Sequence, residues 1–153
     1  MQPLRPLAGF AAAVALAVVP VCAQAPAAPV ADGSPVVTIK ELMEQTITPA
    51  TNTLWNVPEK PTEEEWGALE EAAVTLLAAT NVAALGGTGP KDGEWVKQPV
   101  WRAFNQSMLS AGAMALAAIR ARDNIALLAA GDVLYPPCEG CHLQFNPAVV
   151  GEQ

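Results

Sequence analysis

Three residues near the C-terminus, Cys138, Cys141 and His142, have the types and the spacing of a site that attaches haem covalently. In the pattern Cys-x-x-Cys-His, the two thiols form thioether bonds to the porphyrin and the imidazole ligates its iron. On a helix, Cys138 and Cys141 share one face, and His142 follows four positions after Cys138. We therefore predict one covalently bound haem c with His142 as an axial ligand. His142 is the one histidine of the chain, so the second axial ligand cannot be another histidine.

Two other kinds of site use the same pair of cysteines. A structural zinc site needs four ligands, and carboxylates would have to complete a set of two cysteines and one histidine. A thiol oxidoreductase of the thioredoxin type places its Cys-x-x-Cys after a strand in a βαβ unit, and the hydrophobic pattern of this chain indicates no such unit. Haem attachment is the interpretation that we prefer, with a haem-free thiol oxidoreductase as a remote alternative.

The N-terminal residues have the three parts of an export signal. Arg5 supplies a positive charge, the run Leu7–Val19 is apolar but short for a membrane span, and small residues allow cleavage after Ala23. Lipidation at Cys22 is disfavoured because a lipidation signal has a small residue before the cysteine, and Val21 is larger. We predict a signal peptide over residues 1–23 and a periplasmic protein that keeps no membrane span after cleavage.

Removal of the signal leaves about 130 residues, which suits one domain. Residues 24–36 are rich in Pro and Ala and predict a flexible leader, followed by a domain over residues 37–153. Loss of Arg5 changes the formal net charge from −7 to −8. So acidic a chain is not expected to bind nucleic acid, whose phosphates require cations. The acidity would suit a basic patch on a redox partner protein, or would simply keep the domain soluble.

Hydrophobic periodicity predicts a first helix before Pro49, a residue that should kink or end it. The apolar stripe of this helix consists of Ile39, Leu42, Met43 and Ile47. A second helix should begin after the N-cap residue Thr62, because Glu65 completes a capping box. Residues 86–87, both glycine, should end it.

A third helix is expected to start at Pro99, after the longest loop of the chain, residues 85–98. Asp123 should cap a fourth helix that leads to the haem motif. Because Pro136 and Pro137 lack amide donors and clash with the preceding turn, we expect that helix to kink there and a short new helix to carry the motif. Four amphipathic helices joined by short turns and one longer loop favour an all-α fold, specifically an antiparallel four-helix bundle.

A haem motif at the end of four helices resembles the class II c-type cytochromes, the cytochrome c′ group. The similarity covers essentially the whole mature chain and is carried by TIKELMEQTITPATNTLW, EEWGALEEAAVTLLAATN, ARDNIALLAAGD and CEGCHLQF. The resemblance implies a four-helix bundle, thioether bonds at Cys138 and Cys141, and His142 as the proximal iron ligand. It also allows a homodimer through the first two helices.

The resemblance places the distal side of the iron against the first helix. Met43 matches the position of the methionine ligand in low-spin members of the group. The alternative is that Met43 packs in the core, as buried methionines usually do. Met108 and Met114 are weaker candidates for the ligand. The residues expected to pack in the haem pocket are Leu42, Tyr135 and Phe145.

These features predict a mono-haem electron carrier and not an enzyme. Haem c supplies an Fe(II)/Fe(III) couple, and a thioether ligand from Met43 would leave little room for exogenous ligands. Without that ligand, the chain would be a five-coordinate haem protein that binds nitric oxide or carbon monoxide for sensing or scavenging. The sequence does not name the redox partner.

Overall fold

Every regular element in the described part of the chain is a helix, which confirms an all-α fold for residues 33–150. These are the residues that the structure, a computed structural model, describes. The predicted signal peptide, residues 1–23, and most of the predicted leader, residues 24–36, lie outside them. In chain order the elements are α1 (Ile39–Leu42), a π-helical turn (Met43–Ile47), α2 (Thr48–Trp55), α3 (Glu63–Leu85), α4 (Asp92–Trp95), α5 (Pro99–Arg120), α6 (Asn124–Phe145) and α7 (Pro147–Val150).

Pro49 changes the type of the first helix instead of ending it. The helix passes from α1 through the π turn into α2 and ends at Trp55. In the π turn, the Thr48 N–H donates to the Met43 carbonyl, five residues earlier. A proline ring clashes with the carbonyl four residues before it, and a π turn accommodates this clash because it adds one residue to the turn. Met43 is therefore the first residue of an irregular turn, which sequence periodicity did not predict.

The ends of α3 follow local chemistry, as predicted. The Glu65 N–H donates to the Thr62 hydroxyl at 3.3 Å, and the Thr62 N–H donates to the Glu65 carboxylate at 2.7 Å. This is a complete capping box. The helix ends at Gly86, whose φ of 99° lies in the region that favours glycine.

The starts of α5 and α6 also agree with the sequence. Pro99 occupies the first turn of α5. The Asp123 carboxylate caps α6, since the Ala126 N–H donates to it at 2.9 Å.

The expected short helix around the haem motif is absent, because α6 continues through Pro136 and Pro137 to Phe145. The prediction that a short separate helix carries the motif was wrong. Residues on both sides of the prolines are buried, with Leu134 before them and Cys141 after them. The packing of α6 against α5 on both sides holds the helix together despite the two missing amide donors.

The main core lies where α5 packs against α3 and α6, and where α2 packs against α3. Its largest fully buried aliphatic side chains are Leu76, Ile119, Leu127 and Leu134. A second, smaller cluster contains Ile39, Trp101 and Cys141. Among the described helices, α3 is long and apolar enough to cross a membrane by length and composition, and its buried face belongs to the main core.

Candidate functional site

Two cavities share a wall built from the first helix and the end of α6. The larger has a volume of about 540 Å³ and the smaller about 230 Å³. Both are lined by Met43 and Thr48 from the first helix, and by Cys141 and His142 from α6. The larger volume is in the range of sites that bind small molecules and cofactors. Met43 and His142, far apart in sequence, therefore border the same space.

Aromatic rings form one wall of the larger cavity. Trp95 and Trp101 stack with their ring centroids 5.9 Å apart. The Phe145 ring packs edge-on against Trp101, with centroids 5.0 Å apart, and lies tilted against Trp95, with centroids 5.7 Å apart. The Trp101 indole N–H also donates to the Ala83 carbonyl at 3.1 Å, which fixes the wall to the end of α3. Such a wall is rigid and apolar.

The smaller cavity lies between α2, α5 and α6. It is lined by Trp55, Met108, Tyr135 and Cys138, among others. The Trp55 indole N–H donates to the Gly131 carbonyl at 3.2 Å, so that α2 is fastened to α6 beside this cavity. Both cysteines of the predicted motif face it, because Cys141 lines it as well.

The two cysteines are free thiols, and neither forms a disulfide within residues 33–150. Burial raises the pKa of Cys138 to about 11. Burial, together with the neighbouring Cys138, raises the pKa of Cys141 to about 12. Both groups are therefore protonated at neutral pH, where thiol–disulfide exchange would require a thiolate.

The His142 imidazole is half-buried and accepts or donates no hydrogen bond among the residues that the structure describes. Burial lowers the pKa of His142 from its ordinary value. The ring is accordingly neutral near pH 7, which is the state in which histidine ligates a metal. Within residues 33–150, no three His, Cys, Asp or Glu side chains cluster as a metal site by themselves.

The other predicted pocket residues divide between the cavities and the core. Tyr135 lines the smaller cavity and Phe145 the larger. Leu42 lines neither and packs in the main core. Of the weaker methionine candidates, Met108 is buried on the wall of the smaller cavity, and Met114 is about half exposed.

Sequence reasoning identified residues 85–98 only as the longest loop. In the structure this loop contains α4 and contributes Lys91, Asp92 and Trp95 to the wall of the larger cavity. The signal that was available is the glycine-rich run 86–89 before an acidic residue, because glycines often mark places where backbones approach each other closely.

No family model, curated protein or solved structure matches the chain. The resemblance to class II cytochromes therefore depends on the residues of the chain alone.

The residues around the two cavities fit a covalently attached haem. Two unpaired thiols on one helix lie beside an imidazole that has no partner among the described residues, and a thioether borders the same space. The adjoining wall is aromatic and the volume is of cofactor size.

Proposed function

We propose that this chain is a periplasmic mono-haem c-type cytochrome of class II that carries single electrons. The observation that carries this proposal is that Met43 and His142 border the same two cavities, beside the thiols of Cys138 and Cys141. The periplasmic location follows from the predicted signal peptide.

An antiparallel four-helix bundle is the arrangement that we propose for the helices. The first helical run (residues 39–55), α3, α5 and α6 would be its members. In support, α5 packs against both α3 and α6, and α2 packs against α3 and α6. The short connections 56–62, between α2 and α3, and 121–123, between α5 and α6, favour antiparallel neighbours.

Each residue of the site has one part in holding the cofactor. Cys138 and Cys141 would hold it by thioether bonds, His142 would ligate its iron from α6, and Met43 would ligate it from the π turn. Haem in this site supplies a one-electron Fe(II)/Fe(III) couple. Trp95, Trp101 and Phe145 exclude water from one side, and such burial helps to set the reduction potential.

The smaller cavity favours a second candidate function, the binding of nitric oxide or carbon monoxide. It borders both Met43 and His142, and Thr48 and Asn52 bring polar groups to its wall. This function requires that Met43 does not ligate the iron, so that a gas molecule can bind there. A haem-free thiol enzyme is disfavoured by the protonated state of the two buried thiols.

Absorption spectra of the mature protein, made in a host that matures c-type cytochromes, test the proposal. We expect haem that stays with the polypeptide on a denaturing gel, and low-spin spectra that carbon monoxide does not alter. Met43→Ala should give a high-spin, carbon monoxide-sensitive spectrum, and the matched control Met114→Ala should not. A high-spin wild type would favour the gas-binding function, and protein without covalent haem would refute both.

A further inference from the structure

We propose that Asp92 is a positioning residue for Met43, which it holds on the distal side of the haem through the backbone of Ile39. This inference rests on the proposed function. It assigns a role to a loop residue that lies 49 positions away from Met43 in the sequence.

Asp92 is a buried carboxylate, with 4% of its surface exposed. One of its oxygens, Oδ2, accepts two backbone hydrogen bonds, from the Ile39 N–H at 2.9 Å and from the Gly89 N–H at 2.8 Å. No cation pairs with Asp92 among the described residues, so these amides are its partners. A carboxylate that is buried in this way fixes the two backbone segments that bond it.

A single residue connects Asp92 to Met43. Ile39 donates its N–H to Asp92, and the Ile39 carbonyl accepts the N–H of Met43. Because α1 consists of only four residues, the first amide of the helix and Met43 are one hydrogen-bonded turn apart. Asp92 therefore anchors the turn immediately before the π turn, and both Asp92 and Met43 line the larger cavity.

Gly87 and Gly89 allow the loop that contains Asp92 to approach the start of α1 closely. A Cβ on Gly89 would lie 2.7 Å from Oδ2 of Asp92, and a Cβ on Gly87 would lie 2.8 Å from the Ile39 nitrogen. Both distances are below van der Waals contact. The Thr88 N–H, between the glycines, donates to the Val37 carbonyl at 3.0 Å. Two hydrogen bonds thus join the loop to the start of α1, one from Thr88 to Val37 and one from Ile39 to Asp92.

Loss of the carboxylate would leave two amides in a buried site without their acceptor, which is costly. The turn that carries Met43 would then relax, and the thioether would leave the iron more often. The neighbouring cap cannot replace Asp92, since Thr38 and Glu41 bond each other and not Ile39. We therefore expect Asp92→Ala to shift the equilibrium between bound and released Met43 by about tenfold, the size of one lost buried hydrogen bond.

The experiment compares holoprotein variants by the fraction of high-spin ferric haem and by the thioether-to-iron charge-transfer band. Asp92→Ala should raise the high-spin fraction and weaken the band. Gly89→Ala should do the same with the carboxylate still present, because it pushes the loop away. Asp92→Asn, which keeps an acceptor oxygen, should stay largely low-spin, as should the exposed control Asp132→Ala. The reduction potential of Asp92→Asn should rise, because a negative charge on the cavity wall is removed.

The outcomes separate this inference from the proposed function. An Asp92→Ala protein with covalent haem, a wild-type band and a wild-type spin state would overturn the role of Asp92 and leave the cytochrome intact. Covalent haem whose spectrum is indifferent to Met43→Ala would also overturn it. If Asp92→Ala does not fold, Gly89→Ala decides by the same measurement. Protein that never acquires haem would refute the proposed function itself.

Discussion

The backbone of Gly140 lies against the ring of Phe104, so that a Cβ at position 140 would lie 2.7 Å from Cε1 and 3.1 Å from Cζ of that ring. Gly140 is the residue before Cys141 in the predicted haem motif, and Phe104 packs on the small cluster that contains Trp101 and Cys141. The two central positions of the motif are therefore not equivalent. Position 140 needs glycine for α6 to approach α5, whereas Glu139 points to Tyr135, whose hydroxyl donates to it at 3.1 Å.

Replacement of Gly140 with alanine tests this contact. The added methyl group must displace the Phe104 ring or shift α6, and overpacking of this kind costs about 1–3 kcal/mol of unfolding free energy. Gly67→Ala is the matched control, because Gly67 lies in α3 with open space around it. There, alanine should stabilise the helix by about 0.5–1 kcal/mol. Denaturant unfolding of both holoproteins measures the difference, and equal stability of the two variants would show that the ring yields freely.

Acid should weaken the capping boxes of α1 and α3 and thereby lower the stability of the protein. The Thr38 backbone N–H and hydroxyl lower the pKa of Glu41 below 4.5, and those of Thr62 lower the pKa of Glu65 in the same way. Since the folded pKa lies below the unfolded one, the stabilisation is present above pH 4.5 and is lost as the pH falls through the folded values.

Glu65→Gln removes the titrating group and retains an oxygen that can accept from Thr62. We expect the variant to be less stable than the wild type at neutral pH and to lose less stability on acidification. The measurement is the midpoint of denaturant unfolding as a function of pH. Glu71→Gln, an exposed change on the same helix, should follow the wild type. If the midpoints of Glu65→Gln and the wild type fell in parallel with pH, titration of Glu65 would not be the cause of the acid sensitivity.

Helix ends could be predicted from the sequence because their causes are local. Thr62 with Glu65, Gly86, Pro99 and Asp123 each act within one turn of the chain, and the structure confirms all four boundaries. The spacing of Cys138, Cys141 and His142 is local for the same reason. A single helix, α6, carries all three side chains, whatever that helix packs against.

Features that depend on packing between distant segments were missed or wrong. The length of α6 was underestimated because the prolines were judged without the contacts to α5 on either side. Leu42, directly before the π turn, packs in the main core, and its expected place in the haem pocket stays a prediction. Asp92 has no local pattern of its own, because its partner Ile39 is 53 residues away.

The protonated state of the two cysteines predicts slow alkylation of haem-free protein. Burial holds the pKa of Cys138 at about 11 and that of Cys141 at about 12, so the thiolate fraction is small at neutral pH. Full-length chain produced without haem maturation should react with iodoacetamide far more slowly than the same chain in denaturant, with the rate rising steeply above pH 9. Equal rates with and without denaturant would mean that the thiols are exposed or activated, as a thiol enzyme requires.

The π turn before Pro49 predicts that this proline controls the placement of Met43. Pro49→Ala restores an amide donor and removes the ring that clashes with the preceding turn, so α1 and α2 can join as a regular α-helix. A regular α-helix has one residue fewer in this turn than the π turn has. Its formation would therefore rotate Met43 relative to Ala50 and Leu54, which are fixed in the core. We expect a more stable first helix but a larger high-spin fraction and tighter carbon monoxide binding than in the wild type. Pro61→Ala, outside any helix, is the control. An unchanged spin state in Pro49→Ala would show that packing alone maintains the π turn.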